Sequence, residues 1–216
     1  MTDLNTITAT IALAMGVGWA SGINLYAAIL MLGIMGATGN LVLPPELAIL
    51  SSPLVIGAAG FMYAVEFFTD KIPGVDTGWD AVHTFIRIPA GAVLAAGAMG
   101  DVDPALAVAA GLVGGGLAAS SHAAKAGSRV LINTSPEPFS NWTASLGEDV
   151  MVIAGLWTAL YHPVLFLVLL VLFLLLLAWL LPRIWRGVKS VFRAIGRFFS
   201  GKRASETGPP GNGSAP

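Results

Sequence analysis

Apolar residues along this chain fall into long blocks rather than short alternating runs. The blocks extend from Ile7 to Met35, Leu54 to Phe68, Asp76 to about Gly100, Ala105 into the 120s, Trp142 to Tyr161, and Val164 to Leu181. About 20 apolar residues suffice for a helix to cross a bilayer, so the pattern predicts an all-α, polytopic membrane protein with six transmembrane helices. The breaks between blocks are turn chemistry: Gly39 with Pro44, Pro45 and Pro53, then Ile72-Pro73-Gly74, Asp101 to Pro104, Thr134 to Trp142, and His162-Pro163. Pro lacks the amide donor that a helix interior needs, and Gly accepts turn dihedrals. Span 6 is nearly pure Leu, Val and Phe and is expected to face lipid.

Composition agrees with that pattern. The 216 residues are 56% hydrophobic and 11% charged, against roughly 25% charged in a soluble domain. With no Cys, disulfides, thiolate metal sites and Cys nucleophiles are excluded. The N-terminus lacks the basic segment of a signal peptide, so the first block is expected to be a retained span. Three regions follow: a transmembrane domain over 1–182, a basic amphipathic membrane-surface helix over 183–203, and a disordered Gly/Pro/Ser-rich tail over 204–216. In the second region Arg183, Trp185, Arg186, Lys189, Phe192, Arg193, Arg197, Phe198, Phe199, Lys202 and Arg203 mix basic and aromatic residues. That is the composition of a helix lying on an anionic membrane surface, and beside a span it argues against nucleic-acid binding.

Charge segregates along the chain. Of its 11 Lys and Arg, seven lie from Arg183 onward, leaving Lys71, Arg87, Lys125 and Arg129. With six spans and both termini in the cytoplasm, all four fall at cytoplasmic helix ends or loops, and the other face keeps Glu46, Asp101, Asp103 and His162. The positive-inside rule predicts this arrangement, with both termini cytoplasmic; the resemblance described below implies a bacterial inner membrane.

Where charge does enter the apolar part of the chain, it clusters. Glu66 and Asp70 lie four apart on one helical face, Lys71 follows, and Asp76, Asp80, His83 and Arg87 form a stripe at about 100° per residue. Pro89 is expected to kink that helix. His122, Lys125, Arg129 and Asn133 form a second stripe, a Pro-bounded loop carries Glu137 and Asn141, and Glu148 and Asp149 sit early in span 5. Ionisable groups at membrane depth are costly unless paired, hydrated or used. All of these residues are therefore candidates for a substrate or ion pathway, with acids in excess, which favours a cation or a proton-coupled polar solute. The competing structural explanation is an ion-pair network, for example Glu66 or Asp70 with Arg87, and Glu148 or Asp149 with Lys125 or Arg129. Such pairs need not add stability, because desolvation can cancel the Coulomb gain.

Other chemistry finds little support. His83 and His122 with Glu148 or Asp149 have the ligand types for zinc or manganese, but no compact ligand spacing occurs, and the metal stays unassigned. Gly114-Gly115-Gly116 lacks the GK[ST] of a phosphate loop and reads as helix packing. No G-x-S-x-G elbow is present, so no enzyme and no cofactor are expected. Gly16 to Ala27 can be laid over Gly114 to Lys125, matching span 1 to span 4, as in a 3+3 inverted repeat of the kind transporters use.

Several strings together carry a resemblance: Asp70-Lys-Ile-Pro-Gly-Val-Asp76, Trp79-Asp80-Ala-Val-His83-Thr, His122-Ala-Ala-Lys125-Ala-Gly-Ser-Arg129, Asn133-Thr-Ser-Pro-Glu-Pro-Phe-Ser-Asn141-Trp and Glu148-Asp149. The chain resembles, from roughly Gly16 to Arg186, the bacterial integral-membrane family catalogued as domain of unknown function forty-one twenty-six. The departure is in span 1, where a basic residue near Asn24 is expected and missing. The resemblance implies an architecture and a set of important residues, and no activity. The expected function is thus an inner-membrane transporter or channel-like protein with a charged polar core near the cytoplasmic face. The alternatives are a non-transporting envelope scaffold or lipid-binding protein and, last, an enzyme acting on lipid phosphates through Lys125, Arg129 and His122. Expected partners are the bilayer, anionic lipids at the basic tail and a second copy of the chain in a homo-oligomer.

Overall fold

The computed structural model describes residues 2–134 and 138–206. Six α-helices follow one another: α1 (Thr2–Ala37), α2 (Pro53–Thr69), α3 (Val75–Ala98), α4 (Pro104–Ile132), α5 (Pro138–Tyr161) and α6 (Pro163–Glu206). The stretch between α1 and α2, expected as a plain loop, contains a 3-10 turn, Pro45–Ser51, that buries Leu47 and Leu50. Among the described residues there is no strand. Among the described residues four segments are long and apolar enough to cross a membrane: Leu4–Ala37, Val75–Ala98, Pro104–Ile132 and Pro163–Arg193. The turn Pro45–Ser51 and α2 make a fifth if counted together across their bend of 68°. The sixth expected span corresponds to α5, whose apolar run is diluted by Glu148 and Asp149.

Helix α1 is the hub and packs against all five others. Small residues let it do so, because apolar lipid supplies no drive for helices to associate and close backbone approach must do the work. A Cβ at Gly18 would fall 2.7 Å from the Gly114 Cα, and one at Gly114 would collide with the Ala95 methyl. Gly22 is equally closed in by Ala118 and Ser121. The glycines read as packing residues thus bring α1, α3 and α4 into backbone contact. On the opposite side of α1, Gly155 of α5 makes room for the Trp19 indole, which meets Phe166 and Phe173 of α6 edge-on.

Two prolines lie inside helices. Pro89 is within α3, and α6 runs through Pro182, where the composition changes, to Glu206. Beside Pro182 the Arg183 guanidinium donates to the Trp179 carbonyl while lying over the Trp179 ring, and Arg186 Nε donates to the Pro182 carbonyl at 3.2 Å. Of the tail, residues 204–206 belong to α6 and residues 207–216 lie outside the described part. Along α6, Val164, Leu165, Val168, Leu169, Val171, Leu172, Leu175 and Leu176 are exposed, as a lipid-facing helix requires.

Candidate functional site

The site begins at a defect in α1. Asn24 has φ −145° and ψ 94°, which breaks the helix at that residue. In a regular helix the Ala27 amide would bond the Ile23 carbonyl, four residues back. Instead it donates to the Asn24 side-chain oxygen at 2.9 Å, and the freed Ile23 carbonyl accepts from Lys125 Nζ at 3.1 Å. One residue earlier, the Gly22 carbonyl faces the Arg87 guanidinium at 3.5 Å. The break therefore delivers backbone oxygens to the two cations that stand at the centre of the charged stripes. Asparagine suits the position because its short amide can replace a backbone partner locally.

Around that break the stripes on α3 and α4 meet the acids of α2 and α5. Asp76, Asp80, His83 and Arg87 are all buried, as are His122, Lys125 and Arg129. Arg87 donates to Glu66 at 2.6 Å and to Asp80 at 3.1 Å. The Lys125 ammonium lies 2.7 Å from Asp70, 3.2 Å from Glu66, 3.4 Å from Glu148 and 3.9 Å from Asp80. Arg129 reaches Glu148 at 2.7 Å, the Asp70 carbonyl at 3.0 Å and the Asn141 carbonyl at 3.1 Å. Asn141 then donates to Asn133 at 2.8 Å, and Asn133 to Asp76 at 2.7 Å. Asp76 also takes the Gly74 and Thr77 amides at the start of α3, where Gly74 has φ +85°.

The partners of the two buried histidines place the N–H on different ring nitrogens. Arg87 can only donate, so the His122 Nδ1 it meets at 3.2 Å is an acceptor. Its Nε2–H then donates to the Thr84 hydroxyl at 2.7 Å, and Thr84 passes its own proton to the Asp80 carbonyl. His83 is the opposite tautomer: Nδ1–H donates to the Trp79 carbonyl at 2.9 Å and Nε2 accepts from Tyr26 at 3.1 Å. The two rings point to different partners and do not form a shared ligand pair. Among the described residues no three His, Asp or Glu side chains converge as a metal site.

Most residues singled out from sequence thus join one connected network. Asp149 is the exception among the acids: its partner is not Lys125 or Arg129 but the Asn24 amide, at 2.9 Å. Lys71 stands aside as well, with its ammonium over the Phe67 ring and 3.3 Å from Ser145. Burial lowers the Lys71 ammonium from its usual range, against the opposing pull of the Asp149 and Asp70 carboxylates. Glu137 lies outside the described residues. Missed from sequence were Thr84, Ser145 and the role of Asn24, a lone amide in a small-residue apolar helix.

The balance of the layer is acidic. Glu66, Asp70, Asp76, Asp80, Glu148 and Asp149 outnumber Lys71, Arg87, Lys125 and Arg129. Glu66 Oε2, Asp70 Oδ1, Asp76 Oδ2 and Asp80 Oδ2 are buried with no hydrogen-bond partner in the protein. Such atoms carry a desolvation penalty that the ion pairs only partly offset.

A bundle of long apolar helices closed around a desolvated layer of paired charges defines a helical membrane protein. The chain belongs to the family described as Domain of unknown function (DUF4126), which matches residues 11–183. No curated protein and no solved structure matches it.

Proposed function

We propose that this protein is a bacterial inner-membrane transporter or channel-like protein, with six spans and cytoplasmic termini, that handles a cation or a small cationic solute. The observation that carries this is the coordination of Lys125. Its ammonium sits among the Ile23 carbonyl and the carboxylates of Asp70, Glu66 and Glu148, with Asp80 at the edge. Backbone oxygen from a broken helix combined with carboxylates is the donor set that coupling-ion sites in membrane transporters use. Lys125 fills it as a tethered cation, and a mobile cation competes for the same oxygens when the side chain withdraws. The unpartnered carboxylate oxygens supply further donors. The acid pairs on α2 and α5, the second helix of each three-helix half, support the inverted-repeat arrangement.

Reconstitution tests this. Proteoliposomes should take up a monovalent cation or protons, and Asp80→Asn and Glu66→Gln should each reduce uptake at least about tenfold, the effect of losing about 1.4 kcal/mol of ion stabilisation. Absence of flux for protons, alkali cations and small amines, with the protein folded, overturns the proposal. A second reading, a non-transporting envelope scaffold or lipid-binding protein, is favoured by the engagement of Arg87, Lys125 and Arg129 in ion pairs. Under it the same substitutions would lower stability alone.

A further inference from the structure

A cleft of about 730 Å³ opens between α3, α4 and α6, lined by Ile88, Ala119, Ala126, Val130, Leu181 and Val188 among others. Its walls are almost wholly apolar, and Thr84 and His122, already bonded to each other, form its one polar patch. Small residues create it. Ala119, Ala123, Ala126 and Gly127 present a low face on α4, and α6 comes close at Gly127, where a Cβ would fall 2.5 Å from Ile184 Cγ2, and at Gly187 against Leu131.

We infer that this cleft is a binding site for one acyl chain of an anionic phospholipid, whose headgroup is held by Lys189. Length supports the chain. From Ala119 to Val130 the α4 wall extends about 16 Å at 1.5 Å per residue, and half of the hydrocarbon thickness of a bilayer is about 15 Å. The cleft is therefore as deep as one leaflet. Its mouth lies at Trp185, an exposed indole of the kind that settles at the membrane interface. Charge supports the head: Lys189 Nζ lies 5.2 Å from the Trp185 ring, and Arg183 and Arg186 are exposed on the same helix. No acid occurs between Pro163 and Lys202 to oppose them. Juxtamembrane cations of this kind draw anionic lipids. The cleft touches the charged layer only through Thr84 and His122, and the lipid assignment does not depend on transport by that layer.

Native mass spectrometry of the full chain released from nanodiscs tests the assignment. From discs of mixed phosphatidylglycerol and phosphatidylcholine, each chain should retain one phosphatidylglycerol. Lys189→Glu, an exposed change that leaves the packing intact, should weaken the preference for phosphatidylglycerol about fivefold or more, since one interfacial cation accounts for about that factor. Ala126→Phe, which fills the cleft, should abolish retention while the melting temperature with bulk lipid stays within a few degrees. Equal retention of the two lipids by the native chain overturns the inference, as does unchanged retention in both variants. If Ala126→Phe fails to fold, Lys189→Glu alone decides.

Discussion

Lys125 Nζ lies 3.1 Å from the carbonyl oxygen of Ile23, the oxygen that the Ala27 amide would occupy in an unbroken helix. A residue of α4 thus completes the backbone of α1. Breaking the helix and burying the lysine are two halves of one arrangement, since either alone would leave a desolvated group without a partner.

Removing the lysine charge should therefore be more damaging than removing one of its acids. Lys125→Met is expected to destabilise the protein by about 3–5 kcal/mol, the penalty for leaving buried charge uncompensated. Adding Asp70→Asn to Lys125→Met should recover part of that loss, with a coupling of about 0.5–3 kcal/mol. Unfolding in detergent measures both. Purely additive losses would show that the two side chains do not share a desolvated site.

The pair of Asn24 and Asp149 makes a swap experiment possible. Asn24→Asp keeps an acceptor for the Ala27 amide but sets two carboxyls against each other, and should cost about 1–3 kcal/mol through a lost hydrogen bond and the like charge. Combined with Asp149→Asn, the acid and amide exchange places and stability should return most of the way. Failure of the double variant to recover would mean that the Asn24 amide is not held by Asp149.

Helix packing separates two glycines that sequence treats alike. Gly18→Ala should lower thermal stability strongly, because the new methyl meets backbone at 2.7 Å. Gly116→Ala meets nothing within 4 Å and should be neutral or stabilising by up to about 1 kcal/mol, the helix preference of alanine over glycine. Equal effects at the two sites would contradict the close approach of α1 to α4.

The two buried histidines should be neutral and of opposite tautomers. Nitrogen NMR of the histidine-labelled protein at neutral pH is expected to show protonated Nε2 on His122 and protonated Nδ1 on His83. A doubly protonated His122 would be incompatible with the Arg87 contact at 3.2 Å.

The stripes on α3 and α4 were legible in the sequence because helical periodicity places residues three or four apart on one face, and those faces proved to be the buried ones. The acids of α2 were legible for the same reason. Asn24 was not, because a break in a helix depends on a tertiary partner, here Lys125, that no local pattern reveals. The pairing of Asp149 was missed by the same route: opposite charges suggested Lys125 or Arg129, whereas the two available cations were already engaged by Glu66, Asp70 and Glu148. The boundary drawn after Pro182 rested on a change of composition, which marks a change of surroundings and not a helix end, and α6 runs through it to Glu206.

The glycine contacts that join α1, α3 and α4 leave no free space for those three helices to slide against one another. They form a rigid block, and the block carries Arg87, Lys125 and Arg129. The helices outside it, α2 and α5, bring Glu66, Asp70, Glu148 and Asp149. Moving α2 or α5 away from this block therefore separates opposite charges, and costs electrostatic work as well as repacking.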